Sequence, residues 1–210
     1  MIDLKWYNPK TFNTQNYKKN IKILKSLNLE KNSIFIDAGA HRGEELNYLS
    51  NIGCTVYSFE IHPIHFKNLS KMYGDRKNIF IYNNALTNIS EKEIPCFYKK
   101  TSIGGSMSIE KAKGNIDPNR FVMVKSIKLS DFILDKNIEK IDVLKMDVEG
   151  AEFKIIEDLI DSKTIEKISV ILYEDHDGKF KKKKSKEWKS HRGAVKEKMK
   201  AYKQKFRKWH

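Results

Sequence analysis

Ser33-Ile34-Phe35-Ile36-Asp37-Ala38-Gly39-Ala40-His41-Arg42-Gly43-Glu44 is an apolar run that ends in a glycine-containing turn. An unbroken run of this length predicts a short strand buried on both faces. The turn leads into a predicted helix over residues 44–51, with two acids in its first turn and Gly53 just past its end. The unit then recurs in kind. A second strand over 54–59 closes on Glu60, Pro63 opens a helix that stops at Gly74, and a third strand covers 78–82. Strands alternating with helices imply a mostly parallel sheet with helices on both faces, and ligands bound outside the carboxyl ends of its strands.

Upstream, residues 18–27 read as an amphipathic helix after a polar start at Thr14. Downstream, apolar runs at 93–98 and 121–127 flank Gly104-Gly105 and suggest an insertion or edge hairpin. Residues 141–146, a helix over 151–160 and a strand over 168–174 then restore the rhythm, for five core strands in all. The 210 residues are 40% hydrophobic and 11% aromatic, enough apolar material for one compact domain and too much for a disordered chain. Two cysteines, Cys54 and Cys96, exclude a disulfide scaffold and fit a reducing compartment. No stretch approaches the roughly 20 apolar residues of a membrane span, and the N-terminus lacks a signal-peptide core, so a soluble cytoplasmic protein is expected.

The net charge of +14 is concentrated in one place. Residues 179–210 hold 15 Lys/Arg against 2 Glu, and the rest of the chain is close to neutral. The expected division is therefore an N-terminal helical segment (1–30), a central α/β domain (31–178) and a basic tail (179–210).

Two carboxylates mark the turns. A dinucleotide site wants Gly-x-Gly-x-x-Gly so that a pyrophosphate can approach the middle glycine. Here that position is His41, and Asp37 would repel phosphate while suiting a cationic ligand. Glu60, at the end of the second strand, is placed to accept hydrogen bonds from the two hydroxyls of a ribose. Asn84-Ala85, after the third strand, could face an adenine ring. A site for an adenosine that carries positive charge and no phosphate describes S-adenosylmethionine.

Ile36-Asp37-Ala38-Gly39-Ala40-His41-Arg42-Gly43-Glu44, Ser58-Phe59-Glu60, Asn84-Ala85-Leu86, Leu129-Ser130-Asp131 and Lys145-Met146-Asp147-Val148-Glu149-Gly150-Ala151-Glu152 resemble, in order, the motifs of the FkbM family of class I S-adenosylmethionine-dependent methyltransferases. The resemblance implies a Rossmann-like fold and O-methylation of a hydroxyl on a sugar, glycan or related small molecule. It implies Asp37, Gly39, His41 and Gly43 on the methionine side of the cofactor, Glu60 at the ribose, Asn84 and Ala85 at the adenine edge, and Asp147 beside the sulfonium. Ser102-Ile103-Gly104-Gly105-Ser106-Met107-Ser108 resembles the family's Ser/Gly-rich segment, which would serve as a substrate-side loop or as an ordinary hairpin.

Methyl transfer to a hydroxyl needs a base or a metal near the acceptor oxygen. Asp147 and Glu149 are the first carboxylates available, although two residues apart across a turn they need not point the same way, and one could cap the next helix. The fifth strand ends in Glu174-Asp175-His176-Asp177. His176 there is a candidate base. Alternatively Asp147, Glu174 and Asp175 with the imidazole would suit Mg²⁺, Mn²⁺ or Ca²⁺ better than Zn²⁺, or the cluster is simply a polar loop.

In the tail, Trp188, Val195, Met199, Tyr202, Phe206 and Trp209 recur at helical spacing among Lys and Arg, with the Lys181 to Lys184 run as a hinge. Class I methyltransferases usually add a terminal β-hairpin, for which no alternating run remains, so a basic helix is expected in its place. That helix could pack on the sheet, with Trp6, Tyr7 and Phe12 covering part of the open edge. It could instead lie on an anionic membrane surface, or grip an anionic polymer such as RNA. An RNA-directed methyltransferase and a catalytically inactive binding module of the same fold are the alternative functions.

Overall fold

The computed structural model describes residues 15–90, 92–99, 107–109, 116–176 and 186–209, without the side chains of 186–188. The Gly104-Gly105 loop, the Lys181 to Lys184 hinge, Asp177, the aromatic N-terminal segment and the side chain of Trp188 lie outside these residues.

A six-stranded parallel sheet in the order β10-β9-β8-β1-β2-β3 forms the centre. Its strands are β1 (Ile34–Ala38), β2 (Thr55–Phe59), β3 (Ile79–Tyr82), β8 (Ile141–Met146), β9 (Ile168–Tyr173) and β10 (Phe206–Lys208). Period-two alternation sorts each strand between two helical layers. Ile36, Leu144 and Ile171, in register across β1, β8 and β9, join one core with α4 (Leu129–Asp135), α5 (Glu152–Asp161) and α6 (Lys186–Lys200). Their neighbours Phe35, Val143 and Leu172 point the other way, into the core shared with α1 (Gln15–Lys25), α2 (Glu44–Ile52) and α3 (Pro63–Tyr73). Strands with both faces covered need apolar residues at every position, as the continuous runs in the sequence indicate.

The insertion expected around residues 93–127 forms, whereas the tail departs from the sequence expectation. The runs at 93–98 and 121–127 do not extend the main sheet. They become β5 (Glu93–Lys99) and β7 (Ile116–Lys128), antiparallel partners in a second sheet ordered β4-β7-β5-β6, with β4 (Ala85–Thr87) and β6 (Met107–Ser108) at its edges. The departure is at the tail, whose basic helix is followed by a sixth strand. β10 pairs in parallel with β9, Phe206 packs edge-on against Tyr173, and Trp209 donates its backbone N–H to Tyr173 O at 3.0 Å. A three-residue edge strand with Arg207 and Lys208 exposed carries no alternating signature.

Of the three placements open to the tail, the described part packs on the sheet. Val195 and Met199 are buried against α5, and Trp209 is fully buried in the opposite core. Trp209→Ala is expected to cost about 3–5 kcal/mol, the usual range for truncating a buried aromatic, measurable by urea unfolding. A loss under about 1 kcal/mol would mean that β10 contributes little to the fold.

Candidate active site

The chain reverses its direction of travel across the sheet between β1 and β8, since β1 leads to β2 on one side while β8 pairs on the other. Loops diverge at such a point and leave a crevice at the carboxyl ends. A cavity with about 670 Å³ of empty space, counting its open mouth, lies there. Gly39 and His41 line it after β1, Phe59, Glu60 and Ile61 at β2, Asn84 to Leu86 after β3, and Asp147 to Glu149 after β8. Met107 and Ile109, at β6, cover it from the second sheet.

The β1 turn is held by the β8 turn. Gly39 has φ +88°, and a Cβ there would sit 2.0 Å from the carbonyl oxygen of Asp147. The two backbones are joined at that level by Asp147 N–H donating to Ala38 O at 2.9 Å. Below them, Asp37 and Lys145 are register partners on β1 and β8, and Lys145 Nζ donates to Asp37 Oδ1 at 3.0 Å and to Gly39 O at 2.6 Å. Asp37 is fully buried and Lys145 nearly so. Burial works against the charge of Lys145, but Asp37, Glu45 and Asp147 together more than offset it and its pKa is raised. The cation that Asp37 meets in this structure is thus Lys145 of its own chain. Gly43, with φ +73°, lies against Leu69 at the start of α2, and neither Asp37 nor Gly43 lines the cavity.

Glu60 does line it. Its carboxylate accepts backbone N–H groups from His41 at 2.6 Å and His62 at 2.7 Å. Burial nevertheless raises its pKa to about 7, against the lowering effect of those two hydrogen bonds and of Lys145. Burial, reinforced by Arg42, pushes His41 down to about 4, so that imidazole is neutral near pH 7. Around Glu60 the wall is apolar, formed by Phe59, Ile61, Ala85 and Leu86. Asn84 stands at the mouth with its amide donating to Lys125 O at 3.1 Å.

At the other end of the cavity, Asp147 and Glu149 face His176, which is 2% exposed. Glu149 takes φ +58°, a left-handed conformation unusual for a glutamate. With this kink both carboxylates turn toward one imidazole. Ser108 Oγ donates to Glu149 O at 2.8 Å, and Lys99 Nζ donates to Glu149 Oε1 at 2.9 Å. The metal set expected from sequence is rearranged. Glu174 lies 3.5 Å from His176 Nε2, but Asp175 turns away and accepts from Arg192 Nη2 at 2.6 and 2.7 Å. Glu149 takes its place in the cluster.

Sequence reasoning assigned no role to Lys145, Lys99 or Glu152. Lys145 had a legible signal, because a lysine inside a buried strand requires an anionic partner. Glu152 had none, since an acid in the first turn of a helix is ordinarily explained by the helix dipole.

The sequence profile described as "Methyltransferase FkbM domain" matches residues 37–204. None of the curated protein sequences matches the chain. Among solved structures, the crystal structure of Aeropyrum pernix fibrillarin in complex with natively bound S-adenosyl-L-methionine is similar at 14% identity and a TM-score of 0.42, over 87% of this chain and 66% of that one. The chain thus spans a little under two thirds of that protein's length. Because the profile runs from Asp37 on β1 to Gln204, through both turns that meet beneath the cavity, the chain belongs to the FkbM methyltransferase domain family.

Proposed function

We propose that the chain methylates a hydroxyl of a sugar, glycan or related small molecule in the cavity between β1, β2 and β8. The observation that carries this reading is the polarity of the cavity, which has a buried carboxylate in an apolar wall at one end and a pair of carboxylates beside an imidazole at the other. The donor set fits the cofactor. Glu60 offers acceptor oxygens to a ribose, Ala85 and Leu86 with Ile61 form a slot for a flat apolar ring, and the neutral His41 and the backbone at Gly39 leave room for the methionine part. Asp37 and Gly43 support that turn from below, and Asn84 borders the slot.

When bound, S-adenosylmethionine supplies an electrophilic methyl group. The part of this chain is to hold the acceptor oxygen in line with the carbon–sulfur bond and to remove its proton. With the cofactor held there as methyl donor and thioether leaving group, the acidic end would take the proton that the hydroxyl releases. Proximity and orientation contribute much of the rate. Asp147, 27% exposed and on the cavity wall, is the nearest acceptor, with Glu149 and His176 behind it. The division into segments 1–30, 31–178 and 179–210 remains part of this reading, with the site wholly inside the middle one.

The anionic-polymer and membrane roles of the tail have less support. Lys198 pairs with Asp161, His191 with Glu157 and Arg192 with Asp175, so these side chains face the protein's own acids. No helix among the described residues is long and apolar enough to cross a membrane. A cytoplasmic site of action is consistent with the buried free thiols of Cys54 and Cys96, both shifted upward by burial, Cys96 to about 12.

Calorimetric titration of S-adenosylmethionine at several pH values tests the pocket. Ribose hydroxyls donate to the ionised Glu60, and that form is about half populated at pH 7. Affinity should therefore level off above pH 8 and weaken about fivefold between pH 7 and 6, as the competent fraction falls. Glu60→Gln should bind more weakly with no such slope, and His41, already neutral, adds none in this window. A flat wild-type profile removes Glu60 from the ribose contact. Transfer of labelled methyl from the cofactor to a panel of free sugars and glycans tests the acceptor class, and label reaching RNA alone would overturn it.

A further inference from the structure

The acidic end of the cavity has a feature that proton transfer does not require. His176 is almost wholly buried, and its two ring nitrogens meet different surroundings. Nδ1 lies 2.7 Å from Glu152 Oε1, and the same oxygen accepts the backbone N–H of Val148 at 3.2 Å. A carboxylate at hydrogen-bonding distance from Nδ1 fixes the ring orientation and turns Nε2 toward the cavity side of the cluster. Nε2 makes no hydrogen bond. It points at Asp147 Oδ1, Glu149 Oε2 and Glu174 Oε1, at 3.4, 3.5 and 3.5 Å.

A ring nitrogen and three carboxylate oxygens brought to one point are the donor set of a cation site. Lys99 reaches the other oxygen of Glu149 and offsets one negative charge. The ligating atoms of Asp147, Glu149 and His176 lie within 4.8 Å of one another. Donors around one ion with bonds of about 2.1 Å stand about 3 to 4 Å apart, so a small movement would close the set. A histidine oriented by a carboxylate on its far nitrogen is how protein imidazoles are prepared as ligands.

We propose that Asp147, Glu149 and His176, with Glu174 beside them, bind one hard divalent cation, Mn²⁺ or Mg²⁺, whose open positions face the cavity. Carboxylate oxygens select this class, and the imidazole favours Mn²⁺ within it. The left-handed backbone at Glu149 brings the second carboxylate into the set. His176 is then a ligand and not a base, and the ion polarises the hydroxyl oxygen that enters from the cavity. That last consequence rests on the methyl-transfer reading, whereas binding of the ion does not.

The test uses Mn²⁺ alone, added to the metal-stripped full chain without cofactor or acceptor, and read by electron paramagnetic resonance and calorimetry. One site of micromolar affinity is expected, weakened at least tenfold in His176→Ala and in the isosteric Glu149→Gln. Urea unfolding, measured on the same samples, reports whether each variant is folded, and S-adenosylmethionine affinity of the wild type is measured alongside. Wild type that binds the cofactor but no Mn²⁺ overturns the proposal. Equal Mn²⁺ affinity in wild type and in folded variants overturns it too. Mn²⁺ binding without cofactor binding leaves the metal site standing and removes the methyl-transfer reading instead.

Discussion

Gly39→Ala is expected to abolish cofactor binding and to lower stability by about 4 kcal/mol, near the upper end for a single substitution. Two effects add at this position. At φ +88° an L side chain is strained, by about 1–2 kcal/mol. In addition the new methyl carbon would stand 2.0 Å from Asp147 O, a backbone atom with no rotamer to relieve the contact. Separating the two turns would break Asp147 N–H to Ala38 O and draw Gly39 from Phe59 O, which its N–H reaches at 2.9 Å. Both turns line the cavity, so its floor would be lost together with the stability. Gly193→Ala in α6 is the control. A Cβ there meets nothing within 4 Å, and removal of a mid-helix glycine should stabilise by up to about 1 kcal/mol. Urea unfolding and calorimetry on both variants check the pair, and a Gly39→Ala protein indistinguishable from wild type would mean that the two turns are not in contact.

Lys145→Met is expected to destabilise by about 3–5 kcal/mol, the range for breaking a buried ion pair from one side. The methionine fills the volume but leaves Asp37 at 0% exposure and Glu45 at 5% without the cation between them. The second substitution decides the cause. Lys145→Met with Asp37→Leu removes both charges, and apolar replacement of a whole buried pair is often neutral or stabilising. The double variant should recover most of the loss in denaturant unfolding. If it is no more stable than the single one, then the bond from Lys145 to Gly39 O, and not the charge balance, is what the lysine contributes.

Much of the fold was legible because β1, β2, β8 and β9 are buried on both faces and leave continuous apolar runs. The second sheet was legible only as two strands, since a three-residue piece such as β4 has no period to read. β10 was hidden for a related reason, its charges standing where an edge strand is wet. Within the site, Glu60, Asp147 and Glu149 were readable because they end strands or occupy the specific acidic turn. The actual partner of Asp37 was not readable. That contact depends on register between strands 108 residues apart, which determines whether a side chain at the strand end faces a ligand or a lysine. Asp175 is similar. Its neighbour His176 turns into the cluster, while Asp175 is claimed by Arg192 from a helix 17 residues away.

The order of the main sheet has a consequence for how the molecule opens. Residues up to 82 supply β1, β2 and β3, those from 141 onward supply β8, β9 and β10, and a single ladder of four residue pairs from Phe35 to Ala38 joins the halves. The ligand cavity straddles that seam. A molecule bound there touches both halves at once and acts as a clamp on the one ladder that would have to unzip. Hydrogen exchange at the β1 and β8 amides should therefore slow with rising ligand concentration, in step with the stability that mass action adds, while the outer strands, further from the seam, report mainly their own fraying.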